Sequence, residues 1–304
     1  MFPSFVWIIG LTITLSLGKR LAAGESRSAL LFAVLRRSAI LFGLGVLLYA
    51  APRFDLATFR ILGVLQRLAI CYLAAAAIFL YSGVRAQIAW AVGLLVLYSG
   101  LMIGLGDWTM EGNFAHAVDR AVLGAHTYIN RKTWDPEGIV STLTSISSCL
   151  SGVLAGHLLR RNKPLLQRIR AMVFLGAVLA GCGLVLNSVI PINKSIWTPS
   201  FVLLMAGIDF VAFGLILWLC DVLKVRWGTQ PWVIFGRNSI AVYLFSEVLI
   251  YPLDEFGWRP GIYRSVFLPV GSPEMASLLF AVSYTLFCFG FAWVLHRRCW
   301  YLRV

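Results

Sequence analysis

The sequence predicts an all-α polytopic integral membrane protein of about nine transmembrane helices, N-terminus out and C-terminus in, forming a single transmembrane domain over residues 1–304. Three observations predict it. Apolar residues make up 60% and charged residues 13% of the chain, where a soluble domain has about 45–50% and about 25%. Apolar runs long enough to cross a hydrocarbon core of ~30 Å recur along the whole length and leave no room for a separate soluble core. The cations gather in alternate connections between those runs.

The first run, near 2–18, opens as "FPSFVWIIG" with no polar lead and no cationic stretch, unlike a signal peptide. The chain reads as though it begins in the middle of something larger. Further runs follow near 34–51, 61–82, 86–105, 138–159, 171–190, 199–220, 231–252 and 275–296. The loops after the first, fifth, seventh and ninth hold Lys19, Arg20, Arg27, Arg36 and Arg37; Arg160, Arg161, Lys163, Arg168 and Arg170; Lys224 and Arg226; and Arg297, Arg298 and Arg303. Those loops belong inside. The opposite loops hold most of the acids: Asp55, Asp107, Glu111, Asp119, Asp135, Glu137, Asp254, Glu255 and Glu274.

The net charge of +13 therefore follows membrane topology and does not point to nucleic acid. Cysteines 71, 149, 182, 220 and 288 lie in apolar runs and Cys299 in the basic tail, with no CxxC pair. That argues against disulfides and against a metal site.

Ionisable residues at membrane depth need a reason, because each costs about 2.5–3.5 kcal/mol on insertion scales. Four stand out: Arg67, Asp209, Arg237 and Glu247. Arg67, with Gln66 beside it, either snorkels to the surface or faces inward to hold an anion. Asp209 and Glu247 either pair with an arginine or serve a substrate path. Arg237, Asn238 and Ser239, in "GRNSIAVY", form either an interfacial helix start or a contact for a cytosolic anion.

The stretch "WDPEGIVSTLTSISS" opens the fifth run. Asp135 suits a helix N-cap, Pro136 the first helical position, and Glu137 the positive end of the macrodipole. The hydroxyls of Ser141, Thr142, Thr144, Ser145, Ser147 and Ser148 either let helices approach closely or line a polar cavity. The carboxylates at their mouth favour the cavity.

A tight loop, "PINKSIWTPS" at 191–200, offers Asn193 as donor and acceptor, Lys194 as a cation and Trp197 as a flat face on which a sugar could stack. Turn formation and interfacial anchoring account for the same residues. Between the fourth and fifth runs, Phe114, Val118, Val122 and Ala125 fall at helical spacing, predicting a helix along the surface. His116 and His126 on that segment read as solvated, with His126 the better candidate because it approaches Glu137.

Five stretches, "FPSFVWIIGLTITLSL", "GVLQRLAICY", "DPEGIVSTLTSISSCLSGVLAG", "PINKSIWTPSFVLLMAG" and "GRNSIAVYLFSE", in this order, resemble the heparan-alpha-glucosaminide N-acetyltransferase family of transmembrane acyltransferases. The resemblance implies transfer of an acetyl group from cytosolic acetyl-CoA to an amino sugar or glycan hydroxyl on the outer face of a membrane, in a bacterium the inner one. It implies a lipid bilayer, acetyl-CoA and a glycan as partners, and no metal; oligomeric state stays open. Members of the family have a further helix and a histidine-bearing loop ahead of "FPSFVWIIG", so Met1 is expected to be internal to a longer protein. Within the residues given, Glu137 and His126, with Asp135 beside them, are the candidates for the base. Arg67, Gln66, Asn193, Lys194 and Trp197 are the candidates for the substrate, and Arg237, Asn238 and Ser239 for the CoA phosphates. A secondary transporter of a small anion or sugar, or an inactive homologue, is the competing expectation.

Overall fold

The computed structural model describes residues 2–50, 57–128 and 134–302; Met1, Asp55, Arg303 and the 129–132 end of the surface segment lie outside them. Among the described residues there is no strand. Eight helices are long and apolar enough to cross a membrane, nine if one bent pair counts as a span. The chain falls into two compact units, residues 1–224 and 225–304.

The first unit holds α1 (Phe2–Ala22), α2 (Arg27–Ala50), α3 (Val64–Tyr81), α4 (Val84–Leu105), the short α5 (Phe114–Leu123), α6 (Ser141–Leu159), α7 (Leu165–Leu186) and α8 (Pro199–Leu217). Helix α6 is the most enclosed and packs on α1, α3, α4 and α8. Small residues allow this. A Cβ on Gly10 of α1 would lie 1.8 Å from the Cys149 carbonyl oxygen, and one on Gly152 of α6 would lie 1.9 Å from that of Trp7. The two backbones thus touch, and Thr14 Oγ1 donates to the Val153 carbonyl across the contact at 3.1 Å.

The hydroxyl run of α6 is hydrogen-bonded within its helix and, through Ser147 Oγ donating to the Ala91 carbonyl, to α4. Thr144 and Ser145 donate to the Ser141 carbonyl, Ser148 to that of Thr144, and Ser151 to that of Ser148, so each is satisfied by its own helix. Helix α6 also starts at Ser141, six residues after Asp135, so Asp135 is not its N-cap and Pro136 not its first residue.

Helix α5 corrects the expected face. Ala115, His116, Asp119 and Leu123 are its buried side, while Val122 is 65% exposed. In a membrane protein the bulky apolar groups can face lipid and leave the polar ones inside.

The second unit comprises α9 (Gln230–Arg237), α10 (Ser239–Glu255), α11 (Trp258–Ile262) and α12 (Pro273–Arg297). The expected straight span near 231–252 is broken: α9 and α10 meet at 79° across Asn238. Phe245 and Phe291 stack at 4.0 Å, and Tyr284 donates to the Ser246 carbonyl at 2.6 Å, tying α10 to α12.

Candidate functional site

The charged groups of the first unit converge where α3 and α6 begin. Asp135, 1% exposed, accepts from the Glu137 backbone N–H at 2.9 Å, an Asx turn that brings both carboxylates to one side. They meet Arg60. Its Nε donates to Asp135 Oδ2 at 2.9 Å, and its Nη2 bridges Asp135 Oδ1 and Glu137 Oε2. Tyr49 and Tyr128 flank the guanidinium, at 5.4 and 4.7 Å from their ring centres. Burial works against the charged form of Arg60, but the Asp135 hydrogen bond and the two carboxylate charges outweigh it, and the guanidinium sits above its ordinary value.

Arg67 lies one turn into α3 and is 1% exposed, so it does not snorkel. Its Nη2 donates to Ser141 Oγ at 2.5 Å and to the Gly138 carbonyl at 3.2 Å. The same carbonyl accepts from Ser141 Oγ at 3.1 Å and from Thr142 Oγ1 at 2.8 Å. Among the described residues Arg67 Nε and Nη1 have no partner, nor has either end of the buried Gln66 amide. An unpaired buried polar group is destabilising by roughly 1–3 kcal/mol. Arg67 and Gln66 leave four such atoms, the guanidinium against α6 and Trp197 and the amide against Gly45 of α2.

Trp197 stands over Arg67, its ring centre 5.2 Å from the guanidinium carbon, and its Nε1 donates to Ser148 Oγ at 3.1 Å. Phe2 and Phe201 meet the ring edge-on. At 1% exposed it presents no open face for a sugar, which corrects the expected role. Its backbone has φ +52°, a conformation unfavourable for a bulky L-residue, and the Tyr98 hydroxyl bound to the Ile196 carbonyl helps hold it.

Asn193 builds the loop: its Oδ1 accepts from Ser195 N, and its N–H donates to Thr198 Oγ1. Lys194 is exposed; its carbonyl accepts from Trp197 N at 3.4 Å, and its side chain makes no hydrogen bond or ion pair among the described residues. His126 is half-buried; its Nδ1 lies 2.9 Å from the Phe59 carbonyl, its ring meets that of Phe59 edge-on, and it makes no contact with Asp135 or Glu137. His116, expected in solvent, is buried and stacks on Trp134 at 5.1 Å. Burial pushes its imidazole below the usual histidine value.

Two residues of the cluster were not singled out from sequence. Arg60 stands seven residues before Arg67, in the non-helical segment ahead of α3. Asp119 of α5 is 1% exposed. Its Oδ1 accepts from Ile139 N at 2.8 Å, and a Cβ on Gly138 would lie 1.9 Å from its Oδ2, so glycine admits the contact. Burial raises this carboxyl to about 6, against the hydrogen bond from Ile139.

Asp209 of α8 faces Ser4 of α1, and no arginine or lysine pairs with it among the described residues. In the second unit, Arg237 ends α9 with its guanidinium 5.9 Å from the Tyr301 ring, Asn238 is buried with neither end of its amide partnered among the described residues, and exposed Ser239 begins α10. Glu247, partly buried, lies further along α10. All six cysteines are free. Among the described residues no group of three or more His, Cys, Asp or Glu is placed to hold a metal ion.

Fold and site together define a polytopic all-α membrane protein with a desolvated, ion-paired polar centre at one end of its helices. No protein-family model matches the chain. Over 82% of its length it is 30% identical to the heparan-alpha-glucosaminide N-acetyltransferase of Homo sapiens and, again over 82%, 29% identical to that of Mus musculus. The chain belongs to the heparan-alpha-glucosaminide N-acetyltransferase family. It spans about half the length of these curated relatives, 46% and 47%.

Proposed function

We propose that the protein is a membrane acetyltransferase that moves an acetyl group from acetyl-CoA to an amino sugar or glycan hydroxyl, and that the centre around Arg67 handles the acetyl carbonyl. One observation carries this reading: Nε and Nη1 of buried Arg67 have no partner among the described residues. These are donors held in a dry setting where charge develops on a carbonyl oxygen.

In the reaction the acceptor nitrogen or oxygen bonds to the acetyl carbon and the C–S bond breaks. The acceptor's proton passes to a carboxylate, and the thiolate leaves with the electron pair and takes up a proton. Glu137 is the base of this reading. Its pairing with Arg60 makes Arg60 the residue that positions it, and Asp135 fixes Arg60. His126, tied to Phe59, is a poorer choice. By loop charge, the Glu137 end faces out and the CoA arrives from the cytosol. The membrane of a bacterial member would be the inner one.

The test is transfer of labelled acetyl from acetyl-CoA to glucosamine by the full-length protein in proteoliposomes. Loss in Arg67→Ala with normal insertion supports the role, and undiminished turnover removes it. The 79° break at Asn238, with its orphaned amide, favours a transporter as the second reading, since transporters bind substrates at broken helices. Acetyl-CoA stabilises an acetyltransferase and leaves a transporter unchanged.

A further inference from the structure

The end of α6 remote from Ser141 carries a second polar assembly, unconnected with the carbonyl-binding centre. A cavity of about 350 Å³ opens between Val84, His157, Arg160 and Arg161. No acidic residue lines it.

Two networks build its wall. Gln87, buried in the first turn of α4, donates from Nε2 to the Ser82 carbonyl at 2.9 Å. Its Oε1 is thereby turned toward His157 and accepts from His157 Nε2 at 2.9 Å. The imidazole is aligned, with Phe79 against it at 5.6 Å and Nδ1 making no hydrogen bond among the described residues. Arg160 is seated differently. Its Nη1 and Nη2 donate to the carbonyls of Thr14 and Gly18 of α1 at 3.0 and 3.4 Å, and a Cβ on Gly18 would lie 1.9 Å from Nη1. Those bonds use two of the five guanidinium N–H groups. Exposed Arg161 makes no side-chain hydrogen bond or ion pair among the described residues.

We propose that this cavity binds a phosphate group, held by Arg160 and Arg161 with His157 at its side. Guanidinium forks match phosphate oxygens in paired hydrogen bonds. Topology alone accounts for basic residues at this end of the helices; it does not account for a buried glutamine aligning a histidine, or for a guanidinium set in a glycine slot above a cavity. Two sources supply such a group: the nucleotide phosphates of an acyl-CoA, which rests on the acetyl-transfer reading, and a phospholipid headgroup, which does not.

The experiment uses the full chain in phosphatidylcholine nanodiscs. Its melting midpoint is followed against inorganic pyrophosphate and CoA at matched ionic strength, and in nanodiscs containing phosphatidylglycerol. A ligand that binds the folded state raises the midpoint. Arg161→Gln removes a side chain with no other partner, and Val84→Trp fills the cavity while keeping every charge. Each is expected to weaken the response by roughly tenfold. A response to pyrophosphate and CoA alone identifies the nucleotide source, and one to phosphatidylglycerol alone identifies the lipid. No response to any of the three, or an equal response in wild type and both variants, overturns the site. The pyrophosphate and lipid arms contain no thioester, so the site can stand while acetyl transfer fails, and the reverse.

Discussion

The guanidinium of Arg67 lies 5.2 Å from the ring centre of Trp197, with both residues shut away from solvent. A buried cation over an aromatic face is favourable by about 2 kcal/mol or more. The contact joins the start of α3 to the loop before α8. Trp197→Leu removes it together with the bond to Ser148 and leaves a cavity. We expect a loss of about 3–5 kcal/mol, read as a lowered melting midpoint in detergent. A change below 1 kcal/mol would show that the loop holds its place without the ring.

Arg60 pairs with two carboxylates at once. Arg60→Gln strands Asp135 and Glu137 and is expected to cost about 3–5 kcal/mol. Adding Asp135→Asn should recover part of that loss, because one of the stranded charges is gone. A double variant no more stable than Arg60→Gln would contradict the coupling.

Asp119 makes stability depend on pH. Its folded carboxyl titrates near 6 against an ordinary 3.8, so between those values the folded state keeps a proton that the unfolded state releases. The stabilisation is full below about 3.8, declines as the pH rises to about 6, and stays lost above. Asp119→Asn retains an oxygen for Ile139 N and carries no charge. At neutral pH it should be more stable than the parent by on the order of 1–3 kcal/mol, with a flatter profile over the acid range. An identical profile would remove Asp119 as the source.

Glu137→Gln tests the base. Acetyl transfer by the full-length protein is expected to fall by about 10²–10⁴-fold while insertion and folding persist. Lys194→Ala, at an exposed loop position, should shift stability by no more than about 0.5 kcal/mol. A loss of turnover from Lys194→Ala matching that of Glu137→Gln would return Lys194 to the site.

The helices were legible because an apolar run of sufficient length has few alternatives in a bilayer. Arg67 was legible for the complementary reason, that a charge at depth needs a purpose. Arg60 was not, because its partners are 75 and 77 residues away and nothing local announces them. Asp119 was hidden because Phe114, Val118 and Val122 at helical spacing read as a helix along the surface, on which an acid needs no explanation. The break at Asn238 carried a weak signal in Gly236 and Asn238, two poor helix formers inside an otherwise apolar run. The role expected of Trp197 failed because composition tells which residues are aromatic and not which neighbours already enclose them.

The Gly138 carbonyl receives hydrogen from Arg67, Ser141 and Thr142. An oxygen of this kind has two lone pairs, so three suitors compete for two places. The hydroxyls sit on the helix that begins beside it and always stay within reach; the arginine reaches across from another helix over the longest of the three contacts. Arg67 is the supernumerary, and letting go of Gly138 leaves that oxygen satisfied. Under the proposed reading, Arg67 gives up Gly138 without leaving that oxygen unpaired, keeps its bond to Ser141 Oγ, and offers Nε and Nη1 to the acetyl carbonyl.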